Sequence, residues 1–113
     1  MTATPLDLNH KAVLDSLLLE IPGVVSAEMT GLPAYFINKR MFACICNGGV
    51  GLRMSFSAAT ELRFSRGDVE AFLPKGLSGT REWIQINHAD SEDYRKDLGI
   101  FLSSIEFVRA ARQ

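Results

Sequence analysis

The sequence predicts an α+β fold: a two-layer domain in which an antiparallel sheet of about five strands is covered by three helices. Two observations lead to this prediction. Apolar residues recur at helical spacing near both ends of the chain, and the β-rich stretches between them are joined by short turns rather than by long crossovers. Short turns favour antiparallel pairing, and amphipathic helices bury their apolar stripes against such a sheet.

The first predicted helix is capped by Asp7 or Asn9 and ends at Pro22-Gly23. Its apolar stripe consists of Leu14, Leu17, Leu18 and Ile21. These positions follow the i, i+3, i+4, i+7 spacing that places side chains on one side of a helix. We therefore expect this helix to lie against the sheet.

Four strands are predicted next, over residues 24–29, 34–37, 40–46 and 50–55. Turns are predicted at Gly31-Leu32-Pro33, at Asn38-Lys39 and at Asn47-Gly48-Gly49. Asn38 tolerates the positive φ that a two-residue hairpin turn requires, and Lys39 tolerates it less well.

The second half of the chain predicts a helix from a Ser57 cap through Arg66, a loop over 72–79, a strand over 80–87 and a closing helix capped by Asp90. The apolar stripe of the closing helix consists of Tyr94, Leu98, Phe101, Leu102, Ile105 and Val108. The order helix, strands, helix, strand, helix completes the α+β prediction.

Length and composition predict one domain, residues 1–113, in a cytoplasmic protein. The 113 residues are enough for one hydrophobic core. Cys44 and Cys46 share one side of a predicted strand and are poorly placed to bridge each other, which favours a reducing compartment. No apolar run approaches the 18 or so residues of a membrane span, and the amino terminus lacks a signal-peptide pattern.

Charge is unevenly distributed along the chain. Residues 39–81 contain seven basic and three acidic residues, whereas the whole chain has a net charge of −1. The basic residues of this band are Lys39, Arg40, Arg53, Arg63, Arg66, Lys75 and Arg81. If they shared one surface they could bind nucleic acid weakly through its phosphates, so this band is a candidate basic surface.

The third predicted strand is apolar at six successive positions, 41–46, although a half-buried antiparallel strand should alternate. Either the helices cover both faces of the sheet, or they all lie on one face and leave an apolar face for a homodimer or a protein partner. For the second arrangement, we expect an interface formed by Phe42, Cys44 and Cys46, which share one face of this strand, together with Tyr35 and Trp83, whose facing depends on a strand register that the sequence leaves open.

The sequence contains no recognisable catalytic set, and we expect no cofactor and no metal. Cys44-x-Cys46 is better explained as two small apolar strand residues than as metal ligands, since His10 and His88 lie in other elements. His88 could act as a general base, but a surface position in a loop is the simpler interpretation. Gly48-Gly49-Val50-Gly51 precedes a strand rather than a helix, which favours a hairpin over a phosphate loop.

Several short motifs, in order, resemble one family. They are Met29-Thr30-Gly31-Leu32-Pro33-Ala34, Lys39-Arg40-Met41-Phe42-Ala43, Leu52-Arg53-Met54, Phe72-Leu73-Pro74 and Glu82-Trp83. This pattern resembles the TfoX N-terminal domain, within the wider YjbR/MmcQ-like group, with Thr30 in place of the usual Phe. The resemblance implies a two-layer α/β domain without catalytic residues, and longer members with a second domain regulate natural competence for DNA uptake.

Three classes of function remain open. The leading one is a non-enzymatic regulatory or protein-interaction domain. The alternatives are a weak nucleic-acid-associated protein that uses the basic band, and an enzyme or small-ligand binder with a pocket near the 72–79 loop.

Overall fold

The computed structural model describes residues 5–29, 31–46, 48–72 and 82–110, together with the main chain but not the side chain of Cys46. Its helices are α1 (Pro5–Leu18), α2 (Phe56–Ser65), a 3-10 helix (Ser91–Asp97) and α3 (Leu98–Ala110). Its strands are β1 (Val24–Met29), β2 (Leu32–Ile37), β3 (Arg40–Cys46), β4 (Gly49–Arg53), β5 (Val69–Ala71) and β6 (Trp83–Ile86).

All described strands pair antiparallel in one sheet with the order β1-β2-β3-β4-β6-β5. This confirms the predicted α+β class. The sheet has one strand more than the five expected, because β5 is only three residues long and pairs with β6 from the sheet edge. So short a segment gives almost no alternation from which it could be predicted.

The described helices all pack on one face of the sheet, which we call the helical face. Its core joins side chains of α1, α2 and α3, such as Leu14, Ala59 and Phe101, to strand residues such as Ile45 and Ile84. Of the two arrangements considered from the sequence, the structure has the one with a helix layer on a single face. The opposite face, which we call the distal face, carries a separate apolar cluster.

A β-bulge in β3 decides which side chains reach which face. Ala43 pairs with Tyr35, and Met41 pairs with Phe36, so Phe42 is an extra residue in the ladder. Phe42 and Ala43 therefore both lie in the core of the helical face, and strict alternation along β3 is lost.

The turn chemistry of the β2–β3 hairpin is as predicted. Asn38 and Lys39 both have positive φ, 51° and 66°, as a two-residue turn with left-handed central residues requires. Gly48 also has a positive φ of 76° in the β3–β4 turn. These turns fix the register of the central strands.

Two predicted helix starts are wrong. Ser55, not Ser57, caps α2, because its side-chain oxygen accepts the Ala58 N–H at 3.2 Å. The first helix already includes Pro5, so Asp7 and Asn9 lie inside it, and the Asp7 carboxylate instead accepts the Gly48 N–H at 2.9 Å. Local sequence does not distinguish a side chain that caps a helix from one that accepts a hydrogen bond from a distant turn.

The predicted closing helix has two parts. Asp90 is the N-cap of the 3-10 helix, where its carboxylate accepts the Glu92 N–H at 3.0 Å, and α3 begins at Leu98. Of the predicted stripe, Leu98 and Leu102 are exposed, because the helix turns Ser104 rather than these leucines toward the sheet. Within the described residues, no helix has the length and apolar character needed to cross a bilayer.

Candidate functional site

The distal face is the most extensive apolar feature of the sheet outside the helix-packed core. Its cluster consists of Met29, Leu32, Ala34, Phe36, Met41, Cys44, Phe72 and Trp83. Ala34, Cys44 and Trp83 are buried, whereas the other five are half-buried. None of these side chains belongs to a described helix. The distal face thus carries an apolar cluster that is separate from the helix-packed core.

Alternation and the bulge explain which predicted interface residues reach the distal face. Cys44 and Trp83 reach it, and both are buried there. Tyr35 and Phe42 do not: both are fully buried in the core of the helical face. Phe42 is displaced by the bulge, and Tyr35 follows the alternation of β2 between the distal residues Ala34 and Phe36. The side chain of Cys46 lies outside the described residues.

Tyr35 has a structural role on the helical face. Its hydroxyl donates to the Asp15 carboxylate of α1 at 2.6 Å. Burial, together with this hydrogen bond to a carboxylate, raises the pKa of Tyr35 well above its usual range. The phenol therefore stays protonated, and its hydrogen bond joins β2 to α1 within the core of the helical face.

Two glycines of β4 make room on the distal face. A side chain at Gly51 would collide with the Phe72 ring, and one at Gly49 would collide with the side chains of Asn87 and Gln85. Phe72 in turn packs edge-on against Trp83, with 6.0 Å between ring centroids. The Gly48-Gly49-Val50-Gly51 run therefore serves a hairpin and a packed sheet face, in agreement with the sequence-based interpretation.

Polar side chains form a chain at the β5–β6 end of the distal face. Gln85 donates to Asn87 at 2.7 Å, and Asn87 donates to Glu70 at 2.7 Å. Gln85 is buried, and Glu70 is exposed at the sheet edge. The apolar cluster thus has a hydrogen-bonded polar border on this side.

The predicted basic surface is divided between opposite ends of the sheet. Lys39, Arg40 and Arg53 lie at the end where β4 finishes and β6 begins, since Arg53 pairs with Trp83. Arg66 lies near the other end, because it binds Asp68 directly before β5, and Val69 pairs with Ile86. Arg53 and Arg66 are also neutralised by carboxylates.

The individual partners of these basic residues are specific. The Arg53 guanidinium contacts Glu82 at 3.0 Å, and Arg40 donates to the Val108 carbonyl at 3.3 Å near the end of α3. Arg63 is exposed on α2. Lys75 and Arg81 lie outside the described residues. In the part of the chain that is described, the band therefore does not form a single phosphate-binding face.

A polar cluster that sequence reasoning missed joins α2, the start of β5 and the 3-10 helix. We call it the His88 cluster; it consists of Arg66, Asp68, His88 and Asp97. His88 Nε2 donates to Asp97 at 2.8 Å, and His88 Nδ1 lies 3.5 Å from Asp68. Arg66 contacts Asp68 at 2.7 Å and Asp97 at 2.9 Å. One guanidinium therefore holds both carboxylates that flank the imidazole.

The electrostatics of the His88 cluster follow from these contacts. Hydrogen bonding to Arg66 lowers the pKa of Asp68, and the hydrogen bonds to Asp68 and Asp97 raise the pKa of Arg66 further above its usual range. His88 is not the surface residue that the sequence favoured, since its side chain is only 13 % exposed. Both of its ring nitrogens face carboxylates, so neither is directed at a nucleophile.

A second missed cluster fixes the β3–β4 turn to the helices. His10 Nε2 donates to the Gly48 carbonyl at 3.0 Å, so in the neutral ring Nδ1 accepts the Ser91 hydroxyl at 2.6 Å. Tyr94 packs edge-on against His10 and against His88, with centroid distances of 4.8 and 4.6 Å. Burial raises the pKa of Tyr94, whose hydroxyl donates to the Ile86 carbonyl.

A signal for both clusters exists in the sequence. Asp97 lies three residues after Tyr94 and four before Phe101, on the apolar stripe of the closing helix. His10 lies four residues before Leu14, on the stripe of the first helix. A polar residue on a buried stripe requires a partner, although the stripe does not identify which one.

Other candidate sites are weaker. Among the described residues, no three His, Cys, Asp or Glu side chains are grouped closely enough to hold a metal ion. A shallow, open groove between α1 and the 3-10 helix is lined partly by Asn9, Asp90 and Glu92. The pocket expected near the 72–79 loop concerns residues 73–79, which lie outside the described residues.

No protein-family model matches the chain, and neither does any curated protein. The resemblance to the TfoX N-terminal domain therefore stays a prediction. The function must be argued from the geometry of the described residues.

Proposed function

We propose that the protein is a non-enzymatic regulatory or protein-interaction domain whose distal face binds another protein. The observation that carries the proposal is the second apolar cluster on a sheet face to which the described helices contribute no side chain. Half-buried residues such as Phe36 and Met41 leave apolar surface in contact with water. Burying such surface against a partner is favourable by about 25 cal/mol per Å².

The shape and chemistry of the distal face support a protein partner rather than nucleic acid. Its half-buried members are aromatic, aliphatic or thioether side chains, which are enriched in interface cores. The nearest arginine on β4, Arg53, is held by Glu82, and the basic band is split between the two ends of the sheet. Phosphate binding by several cations at once therefore has little support.

The polar clusters support a structural role rather than catalysis. In the His88 cluster, a single arginine binds both carboxylates and both imidazole nitrogens face carboxylates. This arrangement joins separate elements and leaves no described group aimed at a reacting atom. The same proposal places the protein in a reducing cytoplasm, where the buried thiol of Cys44 remains reduced.

Affinity capture with a matched pair of variants tests the proposal. The baits are the wild-type chain, Met41→Glu on the distal face and Leu102→Glu on the outer side of α3, each checked for folding by circular dichroism and captured with and without nuclease. We expect Leu102→Glu to retain the wild-type protein partners and Met41→Glu to lose at least nine-tenths of them, because a charge would be buried at the interface.

Two outcomes contradict the proposal. If nuclease removes all captured proteins, the nucleic-acid alternative replaces it, and capture should then also fall steeply between low and physiological salt. If folded Met41→Glu and Leu102→Glu capture the same proteins in the same amounts, the distal face is not the interface.

A further inference from the structure

The two edges of the sheet differ in how well they are protected. β5 is three residues long, carries the exposed charge of Glu70 and lies beside α2. β1 is six residues long, contains no proline or lysine, and has four consecutive exposed residues, 25–28. A long edge strand with one charge offers its main chain to another strand, and natural proteins usually block such edges.

The hairpin register identifies which groups of β1 point away from the sheet. Met29 pairs with Leu32 across a two-residue turn, so these two form a hydrogen-bonded pair. The pattern then alternates, and Ala27 and Val25 also bond to β2. The N–H and C=O groups of Ser26 and Glu28, together with the Val24 carbonyl, therefore point outward, whereas the Val24 N–H is donated to Ile21 at 3.2 Å.

We propose that β1 pairs antiparallel with β1 of a second copy of this chain, about a two-fold axis through Ser26. The inference goes beyond the proposed function, since it concerns the edge of the sheet rather than the distal face, and it identifies both the partner and the strand. Ser26 then faces Ser26 of the other copy and exchanges two hydrogen bonds with it. Val24 faces Glu28, whose N–H the Val24 carbonyl accepts on each side of the axis.

Self-pairing is favoured by where charge and apolar surface lie on this strand. Antiparallel pairing places the two Glu28 carboxylates at opposite ends of the interface, so the only charge on β1 meets a valine rather than its own copy. Val25, which is 56 % exposed, would face Ala27 of the second copy on the distal side. The distal faces of the two copies would then form one continuous surface.

The expected dimer is weak. A five-residue strand pairing buries far less than the ~1,600 Å² of a standard interface, so we expect a dissociation constant in the micromolar range or above. Such an association is concentration-dependent, and sedimentation velocity over a wide range of protein concentration detects it directly.

Substitutions at Ser26 test the geometry. Ser26→Pro removes an outward N–H without removing a bond to β2, so it should raise the dimer dissociation constant at least tenfold while Ser26→Ala leaves it within twofold of wild type. If Ser26→Pro fails to fold, a second measurement decides. Ser26→Cys should form a disulfide-linked dimer on mild oxidation, since facing residues lie about 5.5 Å apart, whereas Ser103→Cys on α3 should not.

The outcomes separate this inference from the proposed function. A wild-type chain that stays monomeric at millimolar concentration overturns the β1 pairing, and so does a dimer that folded Ser26→Pro leaves intact or one that Ser26→Cys does not crosslink. If Met41→Glu loses its captured partners while no β1 dimer forms, the proposed function of the distal face is supported and the β1 pairing is wrong. If β1 pairs but Met41→Glu captures as wild type does, only the edge is an interface.

Discussion

The two faces of the sheet are made from the same strands but are stabilised differently. On the helical face, Phe42, Ile45 and Leu52 are fully buried beneath the helices. On the distal face, Phe36 and Met41 remain half-buried, and the described cover comes from the sheet itself and from Phe72. The helical face therefore forms the packed core of the fold, whereas the distal face leaves apolar side-chain area in contact with water.

The boundary between the two faces runs through adjacent residues of β3. Met41 belongs to the distal cluster, and Phe42 and Ala43 belong to the helical core. This division exists because the bulge opposite Tyr35 and Phe36 inserts one residue. A single inserted residue thus decides whether the Phe42 ring lies in the helix-packed core or on the distal face.

The largest expected effect comes from truncating the two neighbours Phe42 and Met41 separately. Phe42→Ala should reduce the free energy of unfolding by about 3–5 kcal/mol, because it leaves a cavity in the packed helical face. Met41→Ala should cost roughly 1 kcal/mol, because part of that side chain already contacts water and its removal leaves no enclosed cavity. Urea unfolding measures both, and equal losses would show that the two faces do not differ in this way.

The next effect concerns the glycine that lets Phe72 pack on the distal face. Gly51→Ala should destabilise the fold by about 1–3 kcal/mol, because the new methyl group collides with the Phe72 ring. The emission of Trp83, which contacts Phe72, should shift as the ring moves. If the collision is the cause, the two substitutions are coupled, and Gly51→Ala should reduce the free energy of unfolding much less in a Phe72→Ala background. Losses of the two single variants that simply add up in the double variant would contradict this explanation.

The fold class, the Asn38-Lys39 turn and the Asp90 cap were predictable because each depends on local spacing or on a preferred residue type. The predicted Gly31-Leu32-Pro33 turn is wrong in its extent, since Leu32 and Pro33 already belong to β2. The facing of Phe42 was not predictable, since a bulge changes the alternation of β3 and a run of six apolar residues gives no sequence signal for it. The facing of Tyr35 was not predictable because it depends on the register of β2. The His88 cluster was not predictable either, because Arg66 and Asp97 are 31 positions apart and meet only when α2 and the 3-10 helix pack.

A smaller effect is expected from the Asp68 carboxylate of the His88 cluster, whose contribution to stability depends on pH. Because Arg66 lowers the pKa of Asp68 in the folded state, the ionised carboxylate stabilises the fold above its ordinary pKa of 3.8, and this contribution is lost as pH falls through the lower folded-state value. Asp68→Asn should therefore be less stable than wild type at pH 7, with a difference that narrows toward pH 2.

Urea midpoints measured from pH 7 to pH 2 check this dependence. Glu61→Gln, which removes an exposed carboxylate of α2, is the control and should follow the wild-type profile. A constant difference between wild type and Asp68→Asn at every pH would mean that Asp68 acts through packing rather than through charge.

The smallest expected effect is a gain in stability at the turn that sets the register of both faces. Lys39 holds a φ of 66°, and relief of roughly 1 kcal/mol of left-handed strain by Lys39→Gly is partly offset by the greater unfolded-state entropy of glycine. We expect a net gain of about 0.5 kcal/mol in urea unfolding, with a smaller gain for Asn38→Gly because asparagine tolerates this conformation. A loss of stability in Lys39→Gly would mean that the lysine side chain supports the turn, and the register of β2 on β3 would then depend on more than backbone conformation.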